Sequence, residues 1–286
     1  MGRRRFGIIT GGGDCPGLNA VIRVVAKRLI RETGAQIVGI LDGFEGFVEG
    51  RTRDLTFDDV SGIISRGGTI LGTTNKADPF NYEDRGDISH LVVRNYRRLK
   101  LDGLVAIGGD GTLHICGRLE KKGMRIIGVP KTNDNDVVAT DETFGFDSAV
   151  SVVARAVDAL HSTADAHRRV MVVEVMGRNA GWIALYGGVA GGGDVILLPE
   201  IPFNIDELAK AIRERHKVRR FTIVVAAEGA KPEGGEVVVQ RIVNDSVEPV
   251  RLGGIGNVVA KELERLTGFE SRVTVLGHLQ RAGYPT

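Results

Sequence analysis

Residues 5–30 read RFGIITGGGDCPGLNAVIRVVAKRLI. The run Arg5–Thr10 is short and apolar, and it stops at Gly11, Gly12 and Gly13. From Asn19 onward the apolar residues return at helical spacing as far as Ile30. Another apolar run, QIVGIL at 36–41, comes next. Strand, glycine loop, helix and strand in that order make the unit of a parallel α/β sheet. The loop has neither the GxxxxGK[ST] spacing of a P-loop nor the GxGxxG of a dinucleotide site. A helix N-terminus after a glycine turn offers free N–H groups and a favourable dipole to an anion. A plain strand-to-helix turn would need the same glycines, so this loop alone does not choose between the two.

The pattern repeats outward from this unit. Residues 88–100 predict a helix, 103–107 (GLVAI) a strand, 112–122 a helix and 125–129 (RIIGV) a strand. A second series starts near Asp147. Helices are predicted over 148–161, 180–189, 206–217 and 253–266, and strands over 170–175, 194–198, 221–226 and 272–276. The polar stretch 231–251 predicts a surface loop or hairpin. The expected fold class is α/β, with two Rossmann-like three-layer α/β/α domains and mainly parallel sheets. Ligands of such sheets bind beyond the carboxyl ends of the strands.

Composition narrows the function classes. A chain of 286 residues has room for one large domain or two modest ones. Lys and Arg number 38 against 36 Asp and Glu, so the net charge of +2 gives no reason to expect a nucleic-acid partner. Arg3, Arg4 and Arg5 read as a solvated start to the first strand. Forty glycines are about twice the usual share of ~7%. They cluster between strands and helices, which suggests backbone lying close to a ligand. Cys15 and Cys116 have no metal or redox spacing. No apolar run approaches the ~18 residues of a membrane span, and no signal peptide is present, so a cytoplasmic protein without a membrane partner is expected.

Four further motifs bear on chemistry. Gly108-Gly109-Asp110-Gly111-Thr112 follows the strand GLVAI; its glycines let phosphates approach the main chain, and Asp110 suits Mg²⁺, directly or through water. Pro130-Lys131-Thr132-Asn133-Asp134-Asn135-Asp136 brings two acids, a lysine and a threonine to the end of a strand. Transfer of a phosphoryl group to an alcohol needs a base near the hydroxyl and cations around the moving group. One acid can be that base and the other can orient metal or water, although a solvated polar loop would look the same. In Glu174-Val175-Met176-Gly177-Arg178-Asn179 the arginine is a candidate phosphate contact or a surface charge. In Leu276-Gly277-His278-Leu279-Gln280-Arg281 two cationic groups at a strand end suit a phosphomonoester dianion.

Taken in order, these motifs resemble the 6-phosphofructokinase family. The likeness covers nearly the whole chain: GGDCPGLN at 12–19, RGGTILG at 66–72, GGDGT, PKTNDND, TFGFD at 143–147, EVMGR, AEG at 227–229 and LGHLQR. No single motif is decisive, but the ordered set is specific. The resemblance implies phosphoryl transfer from Mg-ATP to the C1 hydroxyl of fructose 6-phosphate, giving fructose 1,6-bisphosphate. Asp134 would take the hydroxyl proton. Gly13, Gly109, Gly111 and Thr112 would line the donor, with Lys76 near the nucleotide. Asp110 would hold Mg²⁺, with Asp136 as a second candidate. Thr132 and Arg178 would touch the acceptor end or the phosphoryl in flight, and Met176, Gly177 and Glu228 would contact the sugar. His278 and Arg281 would grip its 6-phosphate. Arg169 and Arg272 match arginines that reach the sugar phosphate across a subunit interface, which implies a homodimer or homotetramer with shared sites. The implied division is a donor (ATP/Mg) domain at 1–145, rejoined by about 270–286, and a sugar-phosphate domain at 146–269.

The family uses ATP or pyrophosphate as donor. An Asp commonly stands at Gly111 in its pyrophosphate enzymes, where it would occupy the place of the ATP α-phosphate. Gly111 leaves that space open and favours ATP. Lys131 points the other way, because pyrophosphate enzymes carry Lys where many bacterial ATP enzymes have Gly. The steric argument is the stronger, so ATP is expected and pyrophosphate is the alternative. Departures from the family pattern are Asn133 in place of an apolar residue, Asn75-Lys76 in place of an Arg, and Ala282 in place of a Gly. Family members continue for several tens of residues past the position of Thr286, so the C-terminal part of the fold is expected to be missing. A non-catalytic sugar-phosphate binder is then a further alternative, against which the presence of Asp110, Asp134 and Asp136 argues. GGDGT alone would also fit a lipid or NAD kinase, but EVMGR and LGHLQR do not.

Overall fold

The computed structural model describes residues 3–242 and 250–286. The first sheet has six strands in the order β3-β2-β1-β4-β5-β6. These are β1 (Arg5–Thr10), β2 (Gln36–Ile40), β3 (Thr52–Leu55), β4 (Gly103–Gly108), β5 (Ile126–Thr132) and β6 (Phe144–Gly145). All neighbours pair parallel except β2 and β3. The helices are α1 (Leu18–Thr33), α2 (Gly43–Glu49), α3 (Ser89–Arg98) and α4 (Asp110–Glu120).

In β1, β2 and β4 alternate residues serve opposite faces, and both faces are covered. Ile8, Ile37, Val105 and Ile107 pack with Leu18, Val21, Ile22 and Ala26 of α1. Ile9, Val38, Leu104 and Ala106 pack with residues of α2, α3 and α4, among them Phe47, Val92 and Ile115. This two-sided burial explains why the strands read as continuous apolar runs rather than alternating ones. It also fixes the switch point: α1 leaves β1 on one face and α4 leaves β4 on the other, so a crevice opens beyond the adjacent ends of β1 and β4.

The second sheet has the order β12-β7-β9-β8 and is parallel throughout. Its strands are β7 (Val170–Val175), β8 (Val195–Leu197), β9 (Thr222–Ala227) and β12 (Ser271–Val275). Helices α5 (Phe146–His167) and α6 (Trp182–Gly191) cover the face of Met171, Val173, Ile223 and Val225. Helices α7 (Ile205–His216) and α8 (Ile255–Thr267) cover the face of Val170, Val172, Val224 and Ala226. Here α6 leaves β7 and α8 leaves β9 on opposite faces, so a second crevice opens at the ends of β7 and β9. The structure thus has the three-layer α/β/α arrangement and the mainly parallel sheets expected.

Within 231–251, β10 (Val239–Ile242) and β11 (Val250–Leu252) pair antiparallel; residues 243–249 of that expected loop or hairpin lie outside the described residues. The return of the chain towards the first sheet, expected from about residue 270, starts only at Gln280. β12 before it belongs to the second sheet, where Ser271 pairs with Val170. No helix among the described residues is long and apolar enough to cross a membrane.

Candidate functional site

The first crevice is built from glycine turns that lean on one another. Gly11 N donates to Ile107 O at 2.9 Å, which ties the end of β1 to β4, and Gly12 N donates to Thr74 O at 3.1 Å. Thr73 Oγ1 donates to Gly12 O at 2.6 Å, so the segment holding Thr73, Thr74 and exposed Lys76 lies along the loop that carries Gly13. Gly109 precedes α4, and Asp110 opens that helix with its side chain in solvent. Gly111 and Thr112 complete the first turn. The Thr112 side chain is buried against Gly11 and Gly108, where an added Cβ would lie 2.6 and 2.4 Å from it. Thr112 therefore presents its backbone, not its side chain, to the crevice.

Strand β5 delivers the loop 130–136 to the same edge. Lys131 is buried, and its ammonium donates to the carbonyl oxygen of Gly13. Burial pushes its pKa down, and the nearby guanidinium of Arg281 acts in the same direction. Thr132 Oγ1 accepts from Asp134 N at 3.1 Å, a local turn at the strand end in which the Asp134 Oδ1 is buried. Thr143 Oγ1 donates to Thr132 O at 2.7 Å, and Asn135 Oδ1 accepts from Thr143 N at 2.9 Å. The loop is therefore pinned on both sides of Asp134, while Asp136 is exposed beyond it. Cys15 lies beneath; its thiol donates to Phe144 O at 3.2 Å, and burial pushes it up to about 12, so it is an inert packing group.

The second crevice carries Met176, Gly177 and Arg178 after β7 and Glu228 after β9. Gly177 has φ 132°, and Arg178 has φ 51°, in the left-handed region that non-glycine residues rarely adopt. Two contacts hold this turn. Arg178 N donates to Glu228 Oε1 at 3.1 Å, and Gly229 lies so close that a Cβ there would be 1.9 Å from Arg178 O. Strained backbone held by its surroundings is typical of sites that position a ligand. Burial raises the Glu228 pKa to about 7, opposed by the Arg178 N–H and reinforced by the charges of Asp134 and Glu174.

The two crevices meet through the turn Gly277–Arg281. Arg281 Nη1 donates to Asp14 O at 3.1 Å and reaches Gly13, where a Cβ would lie 2.9 Å from it. His278 is exposed on the same turn. The structure thus brings together Gly13, Lys76, Gly109, Asp110, Gly111, Thr112, Lys131, Thr132, Asp134, Met176, Gly177, Arg178, Glu228, His278 and Arg281 around the facing ends of the two sheets. It does not bring Arg169 and Arg272 there. Both sit at the opposite, N-terminal end of the second sheet and share Glu270: Arg169 Nε donates at 2.6 Å, and Arg272 pairs with the other oxygen. Roughly 20 Å of strand separates them from the site. Two residues emerge as site parts that sequence reasoning did not assign a role. Glu174 accepts from Gly254 N and Gly256 N at 2.9 and 2.7 Å and so caps α8. Gln280 bridges the two crevices; its place between His278 and Arg281 in LGHLQR was its only signal.

An anion-suited glycine crevice facing a second crevice of acid, amide and guanidinium groups, with a carboxylate between, defines an α/β phosphotransferase. The comparisons make the class particular. The phosphofructokinase family model matches residues 5–286. An ATP-dependent 6-phosphofructokinase 2 of Clostridium perfringens is 51% identical over 98% of this chain and 79% of its own length. A pyrophosphate–fructose 6-phosphate 1-phosphotransferase of Amycolatopsis mediterranei is 49% identical over 99% of this chain and 82% of its own. The crystal structure of Pichia pastoris phosphofructokinase in the T-state superposes with a TM-score of 0.85 at 33% identity, over all of this chain and 30% of that one. The chain belongs to the phosphofructokinase family.

Proposed function

We propose that this protein is an ATP-dependent 6-phosphofructokinase, transferring the terminal phosphoryl group of Mg-ATP to the C1 hydroxyl of fructose 6-phosphate. The observation that carries this is the place of Asp134. It stands on a pinned loop at the end of β5, between the glycine turns of one crevice and the Arg178–Glu228 pair of the other. In this reading residues 1–145 serve the donor, and 146–269 serve the sugar phosphate.

The chain's own groups supply most of the mechanism. Asp134 accepts the C1 hydroxyl proton as the oxygen attacks. The N–H groups around Gly13, Gly109 and Gly111 hold the donor phosphates, and Lys76 lies at the nucleotide side. Thr132 and Arg178 steady the phosphoryl in flight, Met176, Gly177 and Glu228 hold the sugar, and His278 and Arg281 hold its 6-phosphate. Asp110, exposed at the first turn of α4, fits Mg²⁺, which takes one or two protein carboxylates and completes its shell with phosphate oxygens and water; Asp136 is a second ligand candidate. Bound there, the ion would neutralise donor charge. Catalysis of this kind is positioning and charge neutralisation, without a covalent intermediate.

One observation supports ATP. Gly111 places no second carboxylate beside Asp110 in the first turn of α4. The Lys131 ammonium, buried on Gly13 O, stands among the donor glycines. The pyrophosphate reading keeps one support, the near-equal identity to the Amycolatopsis enzyme. Purified protein given fructose 6-phosphate and Mg²⁺ should form fructose 1,6-bisphosphate with ATP and not with pyrophosphate. Equal or faster turnover with pyrophosphate overturns the ATP assignment.

Arg169 and Arg272, paired on Glu270 far from this site, fit the sugar phosphate of a neighbouring copy, so the working enzyme is a homo-oligomer with shared sites. Its place would be the cytoplasm, where sugar phosphates and ATP are at hand.

A further inference from the structure

Gln280 is fully buried where the two crevices meet. Its backbone carbonyl accepts from Asn133 Nδ2 at 3.2 Å. Its side-chain Oε1 accepts from Met176 N at 3.2 Å, and its Nε2 donates to Gly277 O at 3.0 Å. Both ends of the side chain are therefore satisfied by backbone. One residue contacts the loop of Asp134 and the turn that presents Gly177 and Arg178, segments 147 and 104 residues away in the chain.

Asn133, next to Asp134, is also fully buried, and its Oδ1 has no hydrogen-bond partner. An orphaned buried acceptor destabilises, and an apolar side chain of the same size would remove that cost. The amide orphans one buried acceptor, its own Oδ1, and satisfies another, Gln280 O, so in stability the two offset; the link to Gln280 is what the amide adds.

We propose that Asn133 and Gln280 are positioning residues for the phosphoryl transfer, a buried polar clasp that sets the spacing between Asp134 and the turn of Met176, Gly177 and Arg178. The proposal rests on the reading of Asp134 as the base. A misplacement of about 1 Å can cost on the order of 10²-fold in rate while binding survives.

Asn133→Leu cuts the base side of the clasp. It removes one orphaned acceptor and leaves another, so it should melt near the wild-type temperature, yet lose roughly 10-fold in kcat with KM for fructose 6-phosphate changed less than about 2-fold. Combined with Asp134→Asn, it should cost no further turnover, because it acts through the base. Gln280→Met keeps the carbonyl but cuts the bond to Met176, and should lower kcat/KM for fructose 6-phosphate by about 10-fold. Wild-type kcat in Asn133→Leu, or losses that multiply in the double variant, overturns the clasp. Asp134→Asn with wild-type turnover would instead remove the base assignment beneath it. If Gln280→Met does not fold, the Asn133→Leu cycle decides alone.

Discussion

The backbone N–H of Arg178 donates to Oε1 of Glu228 at 3.1 Å, joining the turn after β7 to the end of β9. This one bond does not offset the burial of the Glu228 carboxyl, whose pKa rises from 4.5 to about 7. A carboxyl that is harder to ionise in the folded protein loses stability as pH rises. Its contribution is full below 4.5, falls as the unfolded group ionises, and levels off above about 7. The change is about 3 kcal/mol. Glu228→Gln, neutral at every pH, should therefore gain on the wild type across this window. Denaturant unfolding of both proteins between pH 5 and 8 checks it; a constant difference would mean that Glu228 ionises as it does in water.

Gly111 lies in the first turn of α4, where a carboxylate is welcome to the helix dipole. Gly111→Asp should therefore melt close to the wild type. Repulsion of a second anion from the donor phosphates costs several kcal/mol, so kcat/KM for ATP should fall at least ~100-fold. Unchanged ATP kinetics in a folded variant would refute the assignment of donor choice to position 111, whether by bulk or by charge.

Glu174 lies on β7 but spends both oxygens on Gly254 N and Gly256 N at the start of α8. Glu174→Ala strands both donors, and should cost about 2–4 kcal/mol. Glu174→Gln keeps one acceptor and should cost less. Urea unfolding midpoints at constant slope measure the order wild type, Gln, Ala. Loss of activity without loss of stability would instead place Glu174 in the chemistry.

The sequence made some of this plain and hid the rest for identifiable reasons. Strands such as GLVAI and VMVVEV were legible because both faces are buried, which leaves no polar alternation. α2 and β3 were missed. α2 is GFEGFVE, seven residues with two glycines, and β3 is TRDL, a mostly polar edge strand. Neither carries an apolar period. Sheet membership was harder still, since the pairing of β12 with β7 joins residues 101 apart and nothing local records it. The loop carrying Asp134 was legible as a cluster of acids at a strand end. What positions it was not: Asn133 seemed a mere departure from an apolar residue, and Gln280 was hidden between two cations. Their bonds become visible only once the sheets face each other.

Arg169 and Arg272 share Glu270 at the end of the second sheet away from Asp134. If they complete a neighbour's site, two broken copies can repair each other. Asp134→Asn lacks the base, and Arg272→Ala lacks the phosphate contact it lends. A hybrid dimer of the two holds one site with both residues intact and one with neither. Co-refolded in equal amounts, the pair should recover about a quarter of wild-type turnover, assayed well below saturation with fructose 6-phosphate, since random mixing in a two-fold dimer repairs one site in four. Each variant alone should stay near its own low rate. If the mixture does no better than the average of its parts while sedimentation shows hybrids have formed, the site is not shared, and the two arginines serve only to bind Glu270.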